Sequence, residues 1–175
     1  ASMEIRKSTA QDLEQIMALY EQARDFMRQS GNPNQWGNAY PSRELISADI
    51  AAGKSYLCLE GGHIAAIFYF AVEEEPTYRV IQQGSWLCPG PYGVVHRIAS
   101  SREVRGAASF CLEWCYRQCG NLRIDTHREN IPMQRCLARN GFSYCGIIHI
   151  ADGSERIAFQ KPPQRESVQK GRGDF

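Results

Sequence analysis

The sequence lacks any apolar run approaching the roughly 20 residues that a membrane-spanning helix needs, and Ala1 to Arg6 contain no apolar stretch like that of a secretion signal. It also lacks an excess of charge of one sign, because 20 Lys and Arg stand against 19 Asp and Glu, a formal net charge of +1. That balance argues against a strongly basic nucleic-acid surface. These absences predict a cytoplasmic protein that binds neither a membrane nor nucleic acid.

Paired cysteine motifs are missing as well. The seven cysteines form no CxxC pair and no Cys/His pattern of a zinc site, so we expect free thiols in a reducing compartment and no metal. Cys111, Cys115 and Cys119 are spaced four residues apart and would share one face of a helix. Free cysteine packs as a small apolar residue, so burial in a core is favoured over a metal site.

The order of predicted elements indicates one domain with a mixed sheet. Thr9 with Asp12, and later Ser42, precede two predicted helices, and Gly61-Gly62 joins two strands in a hairpin. After an irregular stretch over 73–91, strands and helices alternate: Gly93–Ser100, Gly106–Cys119, Leu122–Thr126, Asn130–Arg139, Phe142–Ile150 and Glu155–Gln160. This predicts an α/β fold (α+β, mixed sheet) with helices on both faces. We expect a single domain over 1–162 and a disordered tail over 163–175.

The most informative segment, GVVHRIASSREVRGAASF (93–110), joins a predicted strand to a predicted helix. Small residues from Gly106 to Ala108 would expose backbone N–H groups at the positive end of that helix, where a pyrophosphate can bind. Arg102 or Arg105 would add positive charge. Taken alone, a plain structural turn explains this segment equally well.

A second strand–helix unit follows, LRIDTHRENIPMQRCLARNGF (122–142), in which Asn130 is placed to cap the helix and Gly141-Phe142 to end it. With both units present, the chain resembles the GNAT superfamily of N-acetyltransferases, and in particular its bacterial members. Motif A of that superfamily, Q/R-x-x-G-x-G/A, is similar to residues 103–108, and motif B to 130–142. The resemblance covers roughly 5–161 and implies a GNAT-like acyl-CoA N-acyltransferase fold with a central, splayed sheet.

The resemblance implies acetyl-CoA as cosubstrate, with its pantetheine arm in the gap beside the fourth strand, here Gly93–Ser100. It assigns acetyl-CoA binding to Ile98, Ala99, Ser100, Arg105, Gly106, Ala107, Ala108, Ser109, Asn130 and Met133. Two residues depart from the family pattern. Glu103 stands where Gln or Arg is usual, although the family uses this residue chiefly through its backbone N–H. Leu137 stands where the family often has a Tyr that acts as general acid.

The reaction implied is direct attack of an amine on a thioester in a ternary complex, which requires a base. His96 is the predicted base because it lies on the predicted cofactor strand and imidazole titrates near neutral pH. A hydrogen-bonded structural histidine is the alternative. In place of the missing phenol, we expect water, Tyr92 or Tyr144 to supply the proton.

Two further groups of ionisable residues are weaker candidates. Arg123, Asp125 and His127 alternate along one strand and share a face, where a structural ion pair involving Arg97 is favoured over a catalytic role. The run Glu73 to Glu75 follows a predicted strand and would reach the acceptor cleft through water. A solvated acidic turn explains that run better.

Trp36, Tyr40 and Trp86 fall in segments that roof the acceptor side in the resembled family, and aromatic rings there suit an apolar or cationic substrate. Core packing or a homodimer contact explains them equally well. The acceptor is a small-molecule amine or a peptide or protein N-terminus. The fold does not distinguish between these acceptors, and it determines neither the preferred acyl chain nor the oligomeric state.

Three functions remain open at this point. A catalytic N-acetyltransferase comes first. Leu137 and Glu103 motivate the second, a non-catalytic acyl-CoA-binding module. The third is a protein-interaction domain with no nucleotide site.

Overall fold

Seven strands form one mixed sheet in the computed structural model, which describes residues 2–164. The strands are β1 Met3–Lys7, β2 Ser55–Glu60, β3 His63–Val72, β4 Gly93–Ser100, β5 Leu122–Thr126, β6 Ser143–His149 and β7 Glu155–Lys161. The helices are α1 Leu13–Gln29, α2 Arg43–Ala51, α3 Ala107–Cys119 and α4 Ile131–Arg139. The strand order is β1-β2-β3-β4-β5-β7-β6, with β4 and β5 parallel and the other neighbours antiparallel. The predicted mixed sheet is confirmed.

Local signals produce most of these boundaries. The Asp12 carboxylate accepts a 2.7 Å bond from the Thr9 N–H, and the Ser42 hydroxyl accepts a 3.1 Å bond from the Leu45 N–H, so both predicted helix starts are confirmed. Gly61 and Gly62 adopt positive φ angles in the tight turn between β2 and β3. Strand β1 is an addition to the predicted order, because a five-residue edge strand with only Met3 and Ile5 half-buried carries too short a pattern to detect.

Helices cover both faces of the sheet, as predicted. On one face, α3 and α4 pack on the sheet in a cluster that includes Phe68, Val95 and Leu137. Because successive strand residues point to opposite faces, Ile67 faces the other side, where α1 and α2 pack on it. Tyr69 lies on that second face too, where the β3–β4 connection supplies the cover.

Cys111 and Cys115 of the α3 stripe are buried in the first of these clusters, and Cys119 packs half-buried against it. Cys111 and Cys115 are each 0% exposed, which confirms the packing interpretation of their four-residue spacing. Within residues 2–164, no three His, Cys, Asp or Glu side chains are grouped so that they could hold a metal ion. No helix in that range combines the length and the apolarity needed to cross a membrane. The predicted tail, 163–175, lies outside the described residues apart from Pro163 and Gln164.

Strands β4 and β5 diverge soon after they pair. Gly93 is paired with Leu122 and Val94 with Arg123, and the pairing of these two strands then ends. β5 continues instead along β7 as far as Thr126. On its other side, β4 has a bulge in which Arg97 and Ile98 stand opposite a single β3 residue, and Arg97 has a φ of 52°. The sheet therefore opens between β4 and β5.

Candidate functional site

A cavity of about 810 Å³ lies where β4 and β5 part. Both diverging strands contribute to its wall, through Val95, His96, Arg97 and Ile98 of β4 and Ile124, Asp125 and Thr126 of β5. Residues 34–37 and Tyr40, from the α1–α2 loop, line it from another side. The opening of the sheet thus creates a concave site that two strands and a loop share.

The α1–α2 loop is fixed over this cavity by contacts with distant segments. The Gln35 side-chain oxygen accepts a 2.9 Å bond from the Asn130 side chain, and the Gln35 carbonyl accepts a 2.9 Å bond from Arg156. Trp36 packs edge-on against Tyr20 with ring centroids 5.6 Å apart. These contacts explain why a loop rich in turn formers carries large aromatic side chains.

His96 and Glu75 form a hydrogen-bonded pair at the cavity wall. The His96 Nε2 atom lies 2.8 Å from Glu75 Oε1. Bonds from His96 and from the Thr77 N–H, against the opposing effect of burial, lower the pKa of Glu75 to about 2. An ionised carboxylate only accepts hydrogen bonds, so in the neutral ring Nε2 carries the proton and Nδ1 is the free acceptor.

The bulge of β4 is anchored by a buried ion pair. The Arg97 guanidinium meets Asp49 of α2 in two 3.0 Å bonds, with 11% and 8% of the two side chains exposed. Burial raises the pKa of Asp49 even though Arg97 opposes that shift. The Arg97 carbonyl also accepts a 2.7 Å bond from the Tyr20 hydroxyl. The ion pair fixes the bulge to α2, at a cost in desolvation, and the Tyr20 bond fixes it to α1.

The expectation that Arg97 pairs with the β5 face is wrong, because the positive φ of the bulge directs its side chain to α2. Asp125 instead accepts a 2.7 Å bond from the Tyr78 hydroxyl, and burial raises its pKa. Arg123 lies between the rings of Trp86 and Tyr92, 4.3 and 4.1 Å from their centroids. These β5 side chains are partnered by aromatic residues of the β3–β4 connection.

The expectation of a solvated acidic turn at Glu73–Glu75 holds for Glu74 alone. Glu74 pairs with Arg79 at the surface, and its side chain is 64% exposed. Glu73 and Glu75 both line the cavity. Glu73 binds Lys54 Nζ at 2.6 Å and accepts a 2.6 Å bond from the Tyr69 hydroxyl. Successive side chains of this extended segment point in opposite directions, so Glu73 and Glu75 face the cavity and Glu74 faces solvent.

At the N-terminus of α3, the first backbone N–H groups have no partner within the helix. Gly106 caps the helix with a φ of 79°, and the Phe110 N–H makes a 3.0 Å bond to the Gly106 carbonyl. The N–H groups of the preceding turn therefore point out of the helix end. The Ser109 hydroxyl accepts a 2.9 Å bond from Asn140, which joins α3 to α4.

The structure brings some of the predicted site residues together and separates others. Those that line the cavity are Trp36, Tyr40, His96, Ile98, Asn130 and Met133. Trp86 and Tyr92 line a second cavity of about 520 Å³, and the Tyr92 hydroxyl accepts a 2.7 Å bond from the Glu75 N–H. Tyr144 is 52% exposed on β6 and packs against Phe159.

The remaining predicted residues lie next to the cavity or farther along the chain. Ala99 is buried under α1 and α2, and Ser100 pairs with Ala66 of β3. Arg105 to Ser109 form the entry to α3. Leu137 is fully buried in the core below α4, so that position presents no polar group to the cavity.

Three residues of the site could not be assigned from the sequence. Glu75 is one carboxylate in a run of three, Gln35 lies in a turn-rich loop, and Thr126 is an ordinary strand-end threonine. Glu75 and Gln35 acquire their places through bonds with residues far away in the chain, such as the His96–Glu75 bond across 21 positions, and Thr126 through the pairing of β5 with β7. No local pattern encodes such a contact.

Comparison with known proteins places this fold in a large group. No model of a protein family matches the sequence, and no curated protein matches it. Among solved structures, a GNAT-family acetyltransferase from Streptococcus agalactiae matches with a TM-score of 0.85 and 33% sequence identity, over 93% of this chain and 96% of that chain.

Two more distant structures share the fold alone. An agmatine N-acetyltransferase variant has a TM-score of 0.63 and 12% identity, over 91% of this chain and 99% of that one. A ribosomal-protein-alanine N-acetyltransferase from Brucella melitensis has a TM-score of 0.59 and 15% identity, again over 91% and 99%. One is named for a small molecule and the other for a protein, so the fold does not identify an acceptor.

Proposed function

Because this chain belongs to the GNAT family of acetyltransferases and is therefore an acyltransferase, we propose that it acetylates a primary amine on a positively charged small molecule. Acetyl-CoA is the proposed donor, and the amine attacks it directly in a ternary complex. The observation that carries this proposal is the gap between β4 and β5, with the His96–Glu75 pair in its wall.

The gap suits the amide-containing arm of acetyl-CoA. Beyond Val94, the β4 edge that faces β5 is not paired with that strand, so its backbone groups are open to a ligand that pairs as a strand does. The outward-pointing N–H groups at the start of α3 suit the diphosphate. We propose Ile98 to Ser100 and Arg105 to Ser109 for these roles, with Asn130 and Met133 at the cavity wall.

His96 is the proposed base. Its Nδ1 accepts the proton that the amine must lose, while Glu75 holds Nε2–H and stabilises the imidazolium that forms. Backbone N–H groups of β4 are the proposed donors to the oxyanion of the tetrahedral intermediate. Tyr92 and Tyr144 remain predictions as proton donors, although neither lines the cavity.

The charge of the cavity favours a cationic acceptor. Five carboxylates line it, those of Asp49, Glu73, Glu75, Asp125 and Asp152, against the two guanidinium groups of Arg97 and Arg156. Asp49 is paired with Arg97 and Glu73 with Lys54, so the carboxylates of Glu75 and Asp152 stand against Arg156 and leave a surplus of negative charge at the cavity wall. A second positive group on the acceptor would be attracted there, and the rings of Trp36 and Tyr40 suit it as well.

A direct assay tests this function. Wild-type protein is incubated with acetyl-CoA and matched amines, namely diamines, neutral monoamines, amino acids and short peptides, while thiol release is followed. We expect thiol release to be fastest with the diamines. His96→Gln should lower kcat by roughly a hundredfold, because that is a typical contribution of a general base, and should leave acetyl-CoA binding in place.

Three other outcomes would change the conclusion. Preference for peptides over diamines would replace the small-molecule acceptor with a peptide N-terminus. Acetyl-CoA binding without thiol release across the whole panel would support the acyl-CoA-binding module. Absence of any binding in folded protein would contradict the function itself.

A further inference from the structure

Thr126, the last residue of β5, has a buried hydroxyl that no described residue between 2 and 164 hydrogen-bonds. The residue is 1% exposed, and its Oγ1 atom has no partner. Thr126 nevertheless lines the cavity between β4 and β5. A buried hydroxyl without a partner costs about 1–3 kcal/mol, so this position is unfavourable unless a ligand supplies the missing bond.

The leaving sulfur needs a hydrogen-bond donor at the cavity itself, which neither Tyr92 nor Tyr144 lines. When an amine displaces a thioester, the carbon–sulfur bond breaks and the sulfur leaves with the electron pair as a thiolate. Leu137 is buried in the core and offers this sulfur nothing. Two tyrosines do line the cavity, but the Tyr69 hydroxyl donates to Glu73, and the Tyr40 hydroxyl accepts from Arg97 on the opposite strand edge.

We propose that the Thr126 hydroxyl donates a hydrogen bond to the leaving thiolate of CoA. This inference rests on the proposed function. In the step, the nitrogen–carbon bond forms, the carbon–sulfur bond breaks, and the proton of the amine passes to His96. Thr126 keeps its own proton, because a hydroxyl stabilises a thiolate as a donor without acting as an acid.

The matched variants are Thr126→Val, which keeps the shape of the side chain and removes the hydroxyl, and Thr126→Ser, which keeps the hydroxyl. Because the wild-type hydroxyl is unpartnered in the ligand-free protein, T126V should unfold at the same temperature as wild type or a higher one. With acetyl-CoA and an active amine, T126V should lose roughly tenfold or more in kcat with little change in KM, and T126S should lose much less.

A binding measurement tests the contact without turnover. Calorimetry compares CoA with desulfo-CoA, which lacks the sulfur, at about pH 7 and about pH 9.5, on either side of the ordinary thiol pKa of about 8.5. In wild type, the affinity for CoA relative to desulfo-CoA should rise roughly tenfold from the lower pH to the higher one, because a hydrogen bond to a charged thiolate is strong. This gain should vanish in T126V and persist in T126S. Desulfo-CoA itself should bind all three proteins equally.

Tyr40→Phe tests the competing hydroxyl in the same calorimetry. The inference is overturned if the CoA gain survives in T126V, or if Y40F rather than T126V removes it. These results are distinct from failure of the proposed function, in which wild type neither binds acetyl-CoA nor acetylates any amine. If wild type binds acetyl-CoA and acetylates an amine, and T126V matches it in kcat and in CoA binding, then the role of Thr126 is refuted while the proposed function stands.

Discussion

Glu75 shows at the scale of a single residue how one contact creates both a site and a dependence on pH. The carboxylate accepts bonds from His96 and from the N–H and hydroxyl of Thr77, and its pKa falls from the ordinary 4.5 to about 2. A lowered pKa means that the ionised group stabilises the fold fully above pH 4.5. That stabilisation is lost as the pH falls from 4.5 towards 2.

In the variant Glu75→Gln, the free energy of unfolding should therefore fall less steeply as the pH is lowered. By linkage, wild type should lose up to about 3 kcal/mol more unfolding free energy than E75Q between about pH 5 and about pH 2. Urea unfolding at several pH values measures this. Glu74→Gln is the control, because that exposed pair with Arg79 contributes little, and its profile should follow wild type. Parallel profiles for wild type and E75Q would contradict the effect of the His96 bond.

At the scale of elements, helix α3 offers a test with a built-in control. Gly106 caps its start with a φ of 79° and Gly120 its end with a φ of 67°, and a Cβ at either position meets no atom within 4 Å. Alanine in this left-handed region costs about 1 kcal/mol at each site. Both substitutions should lower stability alike, and Gly106→Ala alone should weaken CoA binding, because its Cβ projects where the diphosphate would approach.

Calorimetry with CoA and with pantetheine, which lacks the diphosphate, separates the two effects. G106A should bind CoA roughly tenfold or more weakly than G120A, while the two variants bind pantetheine equally. Equal CoA affinities in G106A and G120A would mean that the start of α3 does not hold the diphosphate.

At the scale of the whole molecule, we propose a single cooperative domain over residues 1–162. The sheet is continuous from β1 to β6, and the Tyr116 hydroxyl of α3 donates a 2.9 Å bond to the Pro162 carbonyl just after β7. We expect one unfolding transition, seen alike by tryptophan fluorescence and circular dichroism, in the full chain and in a chain ending at Gln164. Two separated transitions, or a clear drop in unfolding temperature on truncation, would contradict this domain boundary.

The sequence by itself determined the class of fold and the helices and strands apart from β1. Caps such as Ser42, the Gly61-Gly62 turn and the spacing along α3 are local signals, because a helix or hairpin is stabilised first by residues a few positions apart. The two strand–helix units over 93–142 could therefore be predicted from the sequence. The family resemblance that they carry agrees with the 33% identical Streptococcus agalactiae structure.

Only the tertiary structure decided how the site is built. The edge strand β1 is held by pairing with β2, about 50 residues away in the chain, rather than by a pattern of its own. The Glu75–His96 and Asp49–Arg97 pairs, and the orphaned hydroxyl of Thr126, arise where the parting of β4 and β5 brings distant side chains together. Hydrogen bonds and burial act through space, so separation along the chain cannot predict which side chains meet.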